Sequence, residues 1–172
     1  MDNPLTHVSN DGRAHMVDVG EKPLTRRRAV VSGRVAMARE TLAAALAGGG
    51  PKGPVIEVAR LAAIGGAKKT ADLIPLCHSL PIDQVEVSIT ADGDDGLAIV
   101  AAVTTTWRTG VEMEAFTAVA VAGLTLIDML KAIDRGLVLT DVRMEHKSGG
   151  RSGTWEREHG AAAQDGATGS TL

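Results

Sequence analysis

Asp128 and Lys131 stand three residues apart in the stretch LTLIDMLKAI. On a helix this spacing puts them about 60° apart around the axis and so on one face. A carboxylate and an amine held together can divide general acid and base work, given a setting that tunes their protonation states. Met129, Leu130 and Ile133 fill the rest of that turn and predict a partly buried setting. The same spacing also suits a plain solvated ion pair, which is worth little.

A second concentration of chemistry is LIPLCHSLP, Leu73 to Pro81, where the single cysteine, Cys77, lies beside His78 between two prolines. Adjacent side chains without a second spaced pair do not make a tetrahedral set, so no metal centre is expected. An apolar collar raises a thiol pKa, which makes Cys77 inert as a nucleophile. His78 suits a phosphate ligand or proton donor, and equally a core histidine satisfied by a backbone carbonyl.

The stretch GVEMEAFTA opens the helix that later carries Asp128, with Glu112 and Glu114 in its first turn. The helix dipole alone is a sufficient reason for carboxylates there. Glu114 and Asp128 are separated along the helix axis by roughly 21 Å at 1.5 Å per residue. If both serve one ligand, the site is built across a subunit interface, each end of the helix serving a different pocket. KSGGRSG, at Lys147 to Gly153, offers two cations and exposed backbone N–H groups that could cradle phosphate. It lacks the spacing of a Walker loop, and a flexible tail has the same composition.

The elements that must position these groups follow from the hydrophobic period. Residues 1–25 are polar and unperiodic and read as an arm. RRAVVSGRVAM reads as a strand with Val31, Gly33 and Val35 on one face. ARETLAAALAGGG reads as a short helix stopped by glycines, and a second helix begins after Pro54 with Val55, Val58, Ala62 and Ala63 as its apolar stripe. From Ile82 the period becomes two, DGDDG turns the chain, and Leu97 to Thr106 returns as a hairpin. Val111 to Asp134 reads as one long helix, and LVLTDVRMEHKS as a last strand marked by Val138, Val142 and Met144. The order predicts a single α+β domain over 26–148 with the ferredoxin-like split βαβ arrangement, an antiparallel sheet with helices on one face. Residues 149–172, rich in Gly, Ser and Ala, read as a flexible tail. The bare face of the sheet predicts oligomerisation through it.

Composition bounds the function. The 172 residues suit one domain, and with 44% hydrophobic but only 2% aromatic residues the core must be packed from small aliphatic side chains. A net charge of −3 and the scarcity of aromatics argue against nucleic-acid binding. Basic residues nonetheless cluster at Arg26 to Arg28, at Lys68 and Lys69, and around Lys147 and Arg151, which suits a small polyanion. The longest apolar run, Ala115 to Ile127, is interrupted by Thr117, Gly123 and Thr125, so no membrane span is expected. With one cysteine and no charged-then-apolar leader, the expected location is cytoplasmic.

In register, LTHVSNDGRAHMVDVG, DLIPLCHSLP, TGVEMEAFTAVAVAGLTLIDMLKA and KSGG resemble the cyclic pyranopterin monophosphate synthases of molybdenum cofactor biosynthesis. The resemblance runs from about Leu5 to Gly153. It implies a lyase that rearranges a cyclic dihydroguanosine triphosphate made from GTP, closes a cyclic phosphate and expels pyrophosphate. It also implies a ferredoxin-like fold and a homohexamer, a trimer of dimers with sites at subunit interfaces. Carried over by motif, Asp128 resembles the catalytic acid or base and Lys131 its partner. Leu76, Cys77 and His78 resemble a substrate-binding triplet, and Met113 with Glu114 a second binding pair. Arg27, Lys52, Lys68 and Lys147 fall where the family places cations around the triphosphate. No cofactor is required on this reading, and Mg²⁺ enters only as a companion of the pyrophosphate. The chain departs from the usual pattern at Ser79, Arg108, Ile127, Leu130 and Arg151. The alternative is a catalytically inactive paralogue that binds a nucleotide or pterin phosphate.

Overall fold

The computed structural model describes residues 11–48 and 52–158. The first ten residues of the arm, the 49–51 segment after the first helix, and residues 159–172 of the tail lie outside the described residues. Strand β1 (Thr25–Ala36) leads into α1 (Arg39–Leu46) and α2 (Val55–Lys68), with a single-turn α3 (Thr70–Leu73) before the proline collar. The hairpin β2 (Gln84–Ala91) and β3 (Gly96–Trp107) follows, then α4 (Glu112–Leu130), β4 (Val138–Ser148) and a two-residue β5 (Trp155–Glu156). The sheet runs β2-β3-β1-β4-β5, antiparallel throughout. This is the α+β ferredoxin-like arrangement that the element order predicts. The arm also begins to order earlier than expected, since β1 starts at Thr25, and β5 lies in the stretch whose composition reads as tail.

Strand β1 is central, with β3 paired along its whole length from Thr25↔Trp107 to Ala36↔Gly96. Its inward side chains, Val31 and Val35, meet Leu97, Ile99, Ala101 and Val103 of β3 under the helices, all of them buried. Helix α4 lays Ala115, Ala118, Val119, Ala122 and Leu126 into the same layer. By length and composition α4 is also apolar enough to cross a membrane, but more than half of it is buried here as the central helix of the core. With so few aromatics, glycines and alanines let the layers approach. A Cβ built on Gly33 would lie 2.6 Å from Val119 Cγ1, and one on Gly66 of α2 2.9 Å from Val121 Cβ. Close backbone approach thus replaces bulk as the source of packing density.

Two expectations for side-chain facing are corrected. In α2 the buried stripe is Val55, Ala59, Ala63 and Ala67, an unbroken i, i+4 row, whereas Val58 is exposed and Ala62 half-buried. Along most of that row α2 approaches α4 closely, so small side chains face it and Val58 stays out. In β4, Val138 is 54% exposed and Leu139 turns inward instead. The cause is a bulge: Ser32 pairs with Arg143 but Arg34 with Thr140, which leaves an extra residue on β4 where Asp141 takes φ 53°. A bulge shifts the alternation by one, so Leu139 and the pair Val142 and Met144 all reach the core from opposite parities.

Candidate active site

The two ends of α4 carry two separate constellations. At its N-terminal end, Glu112, Met113 and Glu114 face the collar. The collar is held by its own backbone and by the sheet. Cys77 N–H donates to Ile74 O at 3.0 Å, and Thr105 Oγ1 donates to Pro81 O at 2.5 Å. His78 Nε2 lies 2.8 Å from the carbonyl oxygen of Val17, so the arm closes over the histidine, and the backbone-carbonyl reading of His78 holds. The tie fixes the ring without removing it from the site, because His78 still lines two cavities.

Glu114 is 3% exposed, and its Oε1 accepts from Cys77 Sγ at 3.6 Å. Oε2 has no hydrogen-bond partner among the described residues. Burial pushes the Glu114 carboxyl above its ordinary value, since the charged form loses water that its backbone and Cys77 hydrogen bonds replace only in part. Burial, then the neighbouring Glu114, pushes the Cys77 thiol up to about 11, so the cysteine is a packed donor and not a thiolate at neutral pH. Glu112 instead meets Lys147, whose Nζ donates to Oε1 at 3.3 Å.

Around these groups lie three neighbouring openings. One of about 400 Å³ is lined by Val17, Leu76, Cys77, His78, Glu112 and Met113. It shares Lys22, Thr109 and Gly110 with a larger one of about 900 Å³, lined by Arg27, Arg108 and Arg151. Lys68 lines a third with Thr70, His78, Ser79 and Glu114. An apolar, thiol-lined opening beside an arginine-rich one suits a ring system joined to a polyphosphate. Lys22 and Thr109 are lining residues that sequence reasoning missed. Thr109 opens the TGVEMEA motif but carries no assigned role in it, and only the fold of the arm over the collar brings Lys22 into the site.

At the C-terminal end of α4, Asp128 accepts from Lys131 at 2.7 Å on Oδ1 and from Lys52 at 2.6 Å on Oδ2. Hydrogen bonds from Lys131 and then Lys52 hold the Asp128 carboxyl down at about 2, so it is ionised at neutral pH. The partly buried setting expected from Met129, Leu130 and Ile133 is not found within one chain. Met129 and Leu130 point into the core, Ile133 is 46% exposed, and the Asp128 side chain is 52% exposed. Lys52 therefore joins Asp128, apart from Arg27 and Lys68, which line cavities at the other end, and Lys147, which pairs with Glu112 there. Glu112 and Asp128, at opposite ends of α4, are roughly 24 Å apart along its axis. Among the described residues no group of three His, Cys, Asp or Glu side chains is placed to hold a metal ion.

Comparison with known proteins shows the family. The MoaC family matches residues 16–150, a span that holds the collar, all of α4 and the cations at both ends. The chain belongs to the MoaC family. A protein of Thermomicrobium roseum named cyclic pyranopterin monophosphate synthase is 56% identical over 155 residues, 90% of this chain and 93% of that protein. One of the same name from Dinoroseobacter shibae is 56% identical over 90% of this chain and 98% of its own length. Another from Streptomyces avermitilis is 52% identical over 89% of each chain. The matched span contains the groups at both ends of α4.

Proposed function

We propose that the chain is a cyclic pyranopterin monophosphate synthase, a phosphorus–oxygen lyase of molybdenum cofactor biosynthesis. It takes the cyclic dihydroguanosine triphosphate derived from GTP to cyclic pyranopterin monophosphate with release of pyrophosphate. The observation that carries the mechanism is Asp128 held between two ammonium groups. Closing a cyclic phosphate requires a hydroxyl to lose its proton as its oxygen attacks phosphorus and pyrophosphate departs. Asp128 is the proton acceptor on this proposal, and Lys131 the group that returns a proton. Lys52 keeps the carboxylate ionised between turnovers. Leu76, Cys77, His78, Met113 and Glu114 hold the ring system. Arg27, Lys68 and Lys147 stabilise the charge that gathers on the leaving pyrophosphate. Mg²⁺ enters only as a companion of that pyrophosphate.

The complete site lies between protomers of a homohexamer, a trimer of dimers. Support comes from the length of α4, which no small ligand spans, and from apolar side chains left outside the helix layer. Leu61 and Val58 of α2 and Leu124 and Met113 of α4 are exposed, whereas on the open face of β1 to β3 only Val100 is a large exposed apolar residue. The helix layer is therefore a better candidate for the pairing surface than the sheet face the element order suggested. Light scattering on the purified protein tests the assembly. A cytoplasmic location accompanies the proposal, in keeping with a free Cys77.

Lys131→Ala separates the roles. Loss of pyrophosphate release with intact assembly and substrate binding supports the proton-transfer role. Weaker binding with normal turnover moves Lys131 to the phosphate set.

A further inference from the structure

The motif KSGG offers backbone N–H groups for phosphate, but its second glycine has a more specific use. Strand β4 ends at Ser148, opposite Arg28 of β1, and Gly149 and Gly150 carry the chain on past Arg26 and Arg27 with φ of 95° and 74°. The two glycines face different neighbours. A Cβ on Gly149 would run into the Arg26 carbonyl oxygen and lie 3.1 Å from Arg27 Cα, a clash of backbone with backbone. A Cβ on Gly150 would meet the guanidinium of Arg27, 2.8 Å from Cζ, 3.0 Å from Nη2 and closer still to Nη1. The three nearest atoms all belong to that one fork, so the bare Cα of Gly150 is the floor on which it rests. Arg27 Nε is spent on the Trp107 carbonyl oxygen at 3.0 Å, which fixes the other side of the group. Arg27 and Gly150 both line the cavity of about 900 Å³ that also holds Lys22, Arg108 and Arg151.

We propose that Gly150 is a positioning residue for anion binding, seating the Arg27 guanidinium so that its two unspent nitrogens face the arginine-rich cavity. A planar fork binds a phosphate with two parallel hydrogen bonds only when its plane is held, which a point charge would not need. A methyl at position 150 displaces the far end of a flexible side chain, so it moves Arg27 and leaves the fold in place. The inference rests on the reading of this cavity as the polyphosphate end of the site.

The test needs a control for backbone strain, because alanine at positive φ is disfavoured wherever it occurs. Gly153 supplies it: φ is 67°, and a Cβ there would meet nothing within 4 Å. Calorimetric binding of inorganic triphosphate and steady-state kinetics with the cyclic substrate are compared for the wild type and four variants. These are Gly150→Ala, Gly153→Ala, Arg27→Ala and the Gly150→Ala/Arg27→Ala double variant. Gly150→Ala is expected to weaken triphosphate binding and raise KM by about tenfold, the loss of one charge-assisted hydrogen bond. Its melting temperature matches that of Gly153→Ala, and it adds nothing in the Arg27→Ala background. Equal binding by Gly150→Ala and Gly153→Ala overturns the proposal, as does a Gly150→Ala penalty undiminished without Arg27. A wild type that fails to bind triphosphate also overturns it. A wild type that binds triphosphate but does not turn over the cyclic substrate overturns the proposed function alone, and the coupling between positions 150 and 27 still decides this inference.

Discussion

Mixing two dead variants should restore activity. Glu114 and Asp128 sit on the same helix with roughly 21 Å of rigid axis between them, so one chain cannot bring both to one small ligand. If each site takes Glu114 from one protomer and Asp128 from its two-fold mate, Glu114→Ala and Asp128→Asn chains are inactive alone for complementary reasons. In a randomly mixed assembly with equal amounts of each, a site draws an intact Glu114 with a chance of one half and an intact Asp128 with a chance of one half. About one quarter of sites are then whole, and activity should recover to about that fraction of wild type. The chains are co-expressed with different tags, mixed oligomers are verified by native mass spectrometry, and pyrophosphate release is measured per protomer. Recovery well above the sum of the two parents supports the shared site. Verified mixed oligomers that stay dead refute the reasoning, because at least one carboxylate is then not part of the site.

Three further outcomes follow from the same geometry. Glu114 has its carboxyl raised by burial, so the folded state binds a proton more tightly than the unfolded chain, and this group's contribution to stability falls as pH rises from its ordinary 4.5 through the raised folded value. Glu114→Gln should remove that fall and melt higher than wild type near neutral pH while losing activity; equal pH dependence in both proteins contradicts it. Cys77, with its thiol near 11, should resist alkylation at pH 8 and react faster as pH approaches 11, and a rate profile centred near an ordinary thiol value would show that the packing around Glu114 is wrong. Leu126 is fully buried between α4 and the sheet, so Leu126→Ala should cost about 2–5 kcal/mol in chemical denaturation, and a loss under about 1 kcal/mol would place it outside the core.

The fold was legible because the sequence changes period sharply. Alternation over Val85, Val87 and Ile89 and the glycine-rich turn define the hairpin, and the long, mostly apolar stretch after Glu114 defines α4. What could not be read was the facing inside elements made of small residues. In α2 a row of alanines at i, i+4 outcompetes Val58, because the limit is helix separation, which no local pattern reports. In β4 the bulge at Asp141 shifts the alternation, and the residue type gives no warning of it. The site was legible as two groups of residues, since the helix rise alone separates Glu114 from Asp128. The partners of each group were not: Lys52 reaches Asp128 across a stretch of 76 residues, and Val17 reaches His78 across 61. Contacts of that span depend on the whole topology. The glycines of KSGG likewise read as a generic anion cradle until β1 is placed beneath them.

The most direct measurement is a coupled assay in which the purified protein is given the cyclic dihydroguanosine triphosphate and both products are followed together. The account predicts cyclic pyranopterin monophosphate and pyrophosphate in equal amounts, both lost in Asp128→Asn while assembly and substrate binding persist. Tight binding of the substrate without either product, or undiminished turnover by Asp128→Asn, would contradict it.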